Sequence, residues 1–274
     1  MLRIGQIEYA NCTPIFTALG ANFDCAGYQF VKGVPATLNA MLAAGTIEVS
    51  PSSSIEYGKS PENYCFLPDL SISAIGPVKS VLLFSRIPIE ELDRQTVGLT
   101  TESDTSVNLL KILLSRYYAF SNSFQRCALP LAEALQEFPA LLLIGDAALK
   151  GAMASREGYI YDLGELWYRF TGLPFVFALW IARREAVATK RGELAQLAAD
   201  LVAAKMLAYQ SYAEIADTCR EREWLGRGAL VDYWQTISYD LTARHLDGLT
   251  LFYRHAAELG ILEREPELRI FDAG

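Results

Sequence analysis

The sequence predicts an α/β protein of two lobes with a helical C-terminal region, and three observations predict it. Strand and helix signals alternate through the first half, the pattern of a parallel-rich sheet flanked by helices. Two apolar runs, one entered through Gly76-Pro77-Val78-Lys79-Ser80 and the other Leu173–Trp180, bracket a middle segment. That placement suits a chain that leaves one lobe and later returns. From Glu193 onward Leu194, Leu197, Ala198, Leu201, Val202 and Met206 follow helical spacing. The expected lobes are 1–86 with 178–274, and an inserted 87–177, with a binding site between them.

Leu2–Ile7 reads as the first strand. Asn11-Cys12-Thr13-Pro14 is a polar turn, with Pro14 suited to the first turn of a helix. Lys32-Gly33-Val34-Pro35 starts a second helix with Leu38, Met41 and Leu42 on one face, and Gly45 ends it. A short strand at 47–50 follows, then Ser52, Ser53 and Ser54 as hydroxyl caps for another helix. Residues 76–86 form a turn and a buried strand, which sets Lys79 and Ser80 at the mouth of a cleft. Thr96–Thr100 is a strand, and Glu102–Ser106 leads into a helix through Val107, Leu110, Leu113 and Leu114. The apolar strand 141–144 ends on Gly145-Asp146-Ala147-Ala148, and Tyr161–Gly164 precedes the return strand 173–182. Further helices are expected over 211–223, 228–236 and 239–259.

Totals narrow the function classes. The 274 residues are 51% hydrophobic and 20% charged, a globular composition. A net charge of −8 argues against nonspecific nucleic-acid binding, so an anionic ligand needs local donors. The five cysteines form no CxxC pair, which indicates neither a metal site nor a disulfide framework. The two histidines, His245 and His255, fall late and read as solvated helix-face residues, against a Ser-His-Asp triad. No GxGxxG, GxxxxGK[ST] or GxSxG motif is present. The start carries no leader pattern, and no apolar span reaches 18 residues, so a cytoplasmic protein without a membrane partner is expected.

Four polar turns lie at strand ends: Tyr9–Thr13, Ser52–Ser54, Thr101–Ser106 and Gly145–Ala148. Ligands of open α/β sheets bind at such ends, where helix N-termini present free N–H groups to anions. Each candidate also has a structural reading. Thr105 and Ser106 either cap their helix or contact an anion. Asp146 is equally good as an N-cap, the serines of 52–54 as caps, and Asn11 as the holder of its own turn. Lys79 is either a solvated charge or a ligand contact, and strand alternation turns it away from Ser80.

Residues 4–14 (IGQIEYANCTP), 76–86 (GPVKSVLLFSR), 100–107 (TTESDTSV), 143–149 (LIGDAAL) and 173–184 (LPFVFALWIARR) resemble, in order, the chorismate dehydratases of the futalosine route to menaquinone. That family is similar in fold to type II periplasmic solute-binding proteins, two α/β lobes joined by crossover strands. The resemblance implies conversion of chorismate, a dicarboxylate, to 3-[(1-carboxyvinyl)oxy]benzoate and water, with no metal or organic cofactor. It implies catalytic roles for Asn11 and Ser80 and substrate contacts at Ser53, Thr105 and Ser106; the reading of the strand-end turn adds Asp146 as a further contact or an alternative base. Ala10 stands where a leucine is usual. The competing readings are a non-catalytic solute-binding protein, the ligand-sensing module of a transcription factor, and the sister enzyme that makes 1,4-dihydroxy-6-naphthoate.

Overall fold

The computed structural model describes residues 1–272 and contains two five-stranded sheets. The first is built from β1 (Leu2–Ile7), β2 (Tyr28–Gly33), β3 (Val49–Ser53), β4 (Tyr64–Ala74) and, from late in the chain, β10 (Phe175–Arg183). The second contains β5 (Val81–Ser85), β6 (Thr96–Leu99), β7 (Ser123–Arg126), β8 (Ala140–Ile144) and β9 (Tyr159–Asp162). Their orders are β2-β1-β3-β10-β4 and β7-β6-β8-β5-β9. The plans match. Each sheet has three mutually parallel strands, followed by one that runs antiparallel to both its neighbours, β10 in the first and β5 in the second.

The sheets divide the chain differently from the expected lobes. The run 81–85 pairs with β8 and β9, so it belongs to the second sheet and not with residues 1–74. All of β10 from Phe175 lies in the first. The chain therefore changes sheets between Ala74 and Val81 and returns between Asp162 and Phe175. An apolar run signals burial and not the sheet that buries it, which is why the strand was legible and its membership was not.

Other differences have local causes. The strand expected at 47–50 is Val49–Ser53, fully buried between β1 and β10, so its serines, which read as a cap cluster, form the end of a central strand. The long β4 carried no continuous strand signal because Pro68 and Asp69 (φ 57) interrupt it. A proline is tolerated there because β4 is an edge strand. On the helix Arg191–Gln210 the buried stripe runs Leu194, Leu197, Ala198, Leu201, Ala204, Lys205, Ala208, which leaves Met206 51% exposed. The expected helix at 239–259 starts at Ala243, where Thr242 and His245 form a capping box. His245 is buried there, and His255 packs edge-on against Tyr117 and Trp167; neither is a solvated helix-face residue.

The core unites both sheets and the C-terminal helices around Trp167, Trp180, Trp234, Phe66 and Phe175. Among the described residues no helix is long and apolar enough to cross a membrane.

Candidate functional site

A cavity of about 60 Å³ lies where the strand ends of the two sheets meet, walled by Ile72, Val78 and Phe177. Asn11, Ser53, Ser80 and Ser106 line it together with Tyr9 and Ser103. Each polar position marks the start of an element. Asn11 precedes the helix Thr13–Asn22, Ser53 precedes Ser54–Lys59, and Ser103 and Ser106 open Asp104–Ile112. Pro35 and Gly145, also in the wall, begin Pro35–Ala43 and Gly145–Ala154. Five helix N-termini thus converge on one small volume, and each contributes the positive end of its dipole. No Lys, Arg, His, Asp or Glu lines the cavity among the described residues. An anion held there would meet helix dipoles and hydroxyls and no charged side chain.

The lining side chains are largely uncommitted. The Asn11 side-chain oxygen is buried without a hydrogen-bond partner. Ser80 is buried, and its hydroxyl reaches only Val78 O, at 3.5 Å. The buried Tyr233 phenol lies beside it but makes no hydrogen bond of acceptable geometry. Ser53 stands at the cap position of the next helix yet makes no side-chain cap bond. The cap of Asp104–Ile112 is Ser103, which accepts from Ser106 N at 3.2 Å and donates to Ser106 Oγ at 3.2 Å. Ser106 therefore keeps its own hydroxyl proton for another acceptor.

Two predicted contacts are engaged elsewhere. Thr105 does not line the cavity; its Oγ1 accepts from Ile55 N at 3.1 Å and so caps the helix Ser54–Lys59 from the facing element. Asp146 sits in the first turn of Gly145–Ala154 but does not cap it; Oδ1 accepts from Ala10 N at 3.0 Å. Both side chains tie the walls together, which sequence spacing within one helix could not reveal. Lys79 is exposed and away from the cavity, held in a left-handed turn (φ 63) and not in a strand.

Tyr9, the first residue of the predicted turn, lines the cavity although sequence reasoning gave it no role of its own. Its hydroxyl donates to Glu102 at 3.0 Å, and its ring rests on Gly145 (φ +57), where an added Cβ would meet ring carbons at 3.0 Å. Burial, then the Glu102 charge, push the phenol far above its ordinary value, so it stays protonated. A larger open groove of about 720 Å³, lined by Glu102, Leu131 and Lys150, contains none of the predicted contact residues and shares no lining residue with this cavity.

Desolvation raises the Asp146 carboxyl above its ordinary value, Glu221 adds to the shift, and the bond from Ala10 N, then Lys150 and Arg220, oppose it. A raised carboxyl binds its proton more tightly folded than unfolded, so it lowers stability as pH rises through the two values. Asp146→Asn removes that dependence. The melting temperature of the variant minus that of the parent is expected to grow from pH 3.5 to pH 6; thermal melts across that range check it, and a constant difference refutes it.

The family model for menaquinone biosynthesis matches residues 2–258. A chorismate dehydratase of Thermus thermophilus is 38% identical over 197 residues, covering 66% of this chain and 70% of that protein. The protein AF1704 from Archaeoglobus fulgidus superposes with a TM-score of 0.75 over 95% of this chain and 98% of its own, at 18% identity. The periplasmic aliphatic sulphonate binding protein SsuA from Escherichia coli does so with a TM-score of 0.65 over 99% and 92%, at 15% identity. The fold is periplasmic-binding-protein-like.

Proposed function

The chain belongs to the menaquinone-biosynthesis family, and we propose that it is a chorismate dehydratase, a hydro-lyase. The observation that carries the reading is the convergence of Asn11, Ser53, Ser80 and Ser106 on one cavity that is ringed by helix N-termini and lined by no charged side chain. Such a site suits a dianion that must be oriented in a dry space.

In this reading the C3–H bond of chorismate breaks, its electrons form the C3=C4 bond, and the C4 hydroxyl departs. The ring becomes aromatic, which makes the step strongly downhill. The ring carboxylate is conjugated through C1=C2, so donors on it stabilise charge that develops at C3. Ser106 and the first-turn N–H groups of Asp104–Ile112 supply such donors, with Ser53 opposite. Asn11 and Ser80 are neutral, so neither acts as the base. The enolpyruvyl carboxylate of the substrate takes the C3 proton and passes it to the departing hydroxide, while Asn11 and Ser80 hold the geometry and assist the loss of water. Asp146, committed to Ala10 N, supports the wall from behind. Thr105 does the same from its bond to Ile55 N.

Sites that enclose a small molecule run to roughly 300–1,000 Å³. A cavity of about 60 Å³ therefore has to widen to admit chorismate. Contacts that span the seam include Tyr9–Glu102, Ala10–Asp146, Ile55–Thr105 and Lys59–Asp104.

Incubation with chorismate, followed by ultraviolet absorbance and mass, is expected to show loss of one water and appearance of the benzoate product. Binding of chorismate without that loss would overturn the reading in favour of a plain solute-binding protein.

A further inference from the structure

Asn11 has no hydrogen bond that fixes its side-chain oxygen, so its aim depends on the backbone that carries it. That backbone is held from three directions by side chains distant in sequence. Trp234 Nε1 donates to Ala10 O at 2.7 Å, Tyr239 OH donates to Asn11 O at 2.7 Å, and Asp146 Oδ1 accepts from Ala10 N at 3.0 Å. Within the turn, Cys12 N closes on Tyr9 O at 2.9 Å. The backbone groups of Ala10 and the carbonyl of Asn11 are thereby committed to side chains from the helix Arg227–Trp234, the segment that follows it and the helix Gly145–Ala154.

The anchors are themselves anchored. Trp234 and Tyr239 are fully buried. The Tyr239 N–H donates to Tyr209 OH at 2.8 Å, and its carbonyl accepts from Ser71 N at 2.9 Å. One residue before and one after, Ser73 exchanges backbone bonds with Ser238 at 2.8 Å, and Ser71 Oγ donates to Asp240 O at 2.5 Å. Thus the alternating serines of β4, Ser71 and Ser73, bind the segment 238–240. A continuous series of hydrogen bonds runs from an edge strand of the first sheet to the Asn11 carbonyl.

We infer that Tyr239, Trp234 and Asp146 are positioning residues for Asn11, and that the C-terminal region serves the chemistry by fixing this turn. The inference rests on the proposed role of Asn11. Small displacements of an orienting group cost rate far more than binding.

The test compares two hydroxyl deletions in one aromatic cluster. Tyr239→Phe removes the bond to Asn11 O. Tyr212→Phe removes a buried hydroxyl that has no partner, from a ring 5.7 Å from Trp234. In Tyr239→Phe, kcat for chorismate is expected to fall about tenfold or more with KM within about twofold. The side-chain amide resonances of Asn11, assigned by their loss in Asn11→Ala, should move as well. Tyr212→Phe should change neither. Unaltered kcat and amide positions in Tyr239→Phe overturn the proposal. If the parent does not dehydrate chorismate, the functional reading fails and the amide resonances alone decide the positioning claim. Should Tyr239→Phe not fold, Trp234→Phe, which deletes the bond to Ala10 O, takes its place under the same criteria.

Discussion

Asn11→Ala is expected to lower kcat/KM for chorismate by about 10²–10³-fold, the usual cost of deleting one oriented polar group from a reaction site. It is also expected to leave the melting temperature within a few degrees of the parent. The two outcomes belong together. The side-chain oxygen of Asn11 has no protein partner, so its removal breaks no bond that holds the fold. Leaving a buried polar group unsatisfied costs about 1–3 kcal/mol, and its deletion relieves that cost. The backbone bonds from Tyr239 and to Asp146 are independent of the side chain and remain. A loss of activity without a loss of stability is the signature of a group kept for a ligand and not for packing. Steady-state kinetics and a thermal melt on the same preparation check it, and full turnover in the variant would remove Asn11 from the mechanism.

The same contrast explains what the sequence made legible. Asn11, Ser53 and Ser106 were readable because each sits at the junction of a strand and a helix, and Ser80 because it ends the turn that enters β5; such positions carry turn residues with hydroxyl or amide side chains. Local pattern finds such positions. It does not find what a side chain touches across the cleft. Thr105 and Asp146 look like contacts or caps in their own helices, yet their partners, Ile55 and Ala10, lie on the facing side. Tyr9 was invisible as a wall because its role is defined by Glu102 and Gly145. Fold class followed from alternation and apolar runs. Sheet membership of β5 did not, because an apolar strand pairs equally well with either sheet until the antiparallel partners β8 and β9 are known.

Asp162→Ala is expected to be the most disruptive single substitution near the site, costing about 3–5 kcal/mol of stability and most of the activity. One carboxylate gathers the N–H groups of two segments. Its oxygens accept from Val78 N at 3.0 and 3.1 Å and Lys79 N at 2.6 Å on one side, and from Gly164 N at 2.9 Å and Glu165 N at 3.1 Å on the other. Asp162 thus caps the helix Leu163–Thr171 and at the same time holds the turn that leads to Ser80. Alanine leaves all of those donors without a partner. The turn cannot simply collapse to find new ones, because a Cβ at Gly164 would already lie 2.6 Å from Gly76 O, so turn and helix are in contact. Asp162→Asn keeps one acceptor but turns an amide N–H₂ toward donors, so it should fall between the parent and Asp162→Ala. Chemical denaturation orders the three proteins by stability. Kinetics well below their melting points then separate the local effect from the global one: a displaced Ser80 lowers kcat in the folded variants, whereas a purely structural Asp162 leaves kcat per folded molecule unchanged. The latter result would detach the turn at 76–80 from the chemistry and leave Ser80 a bystander in the cavity wall.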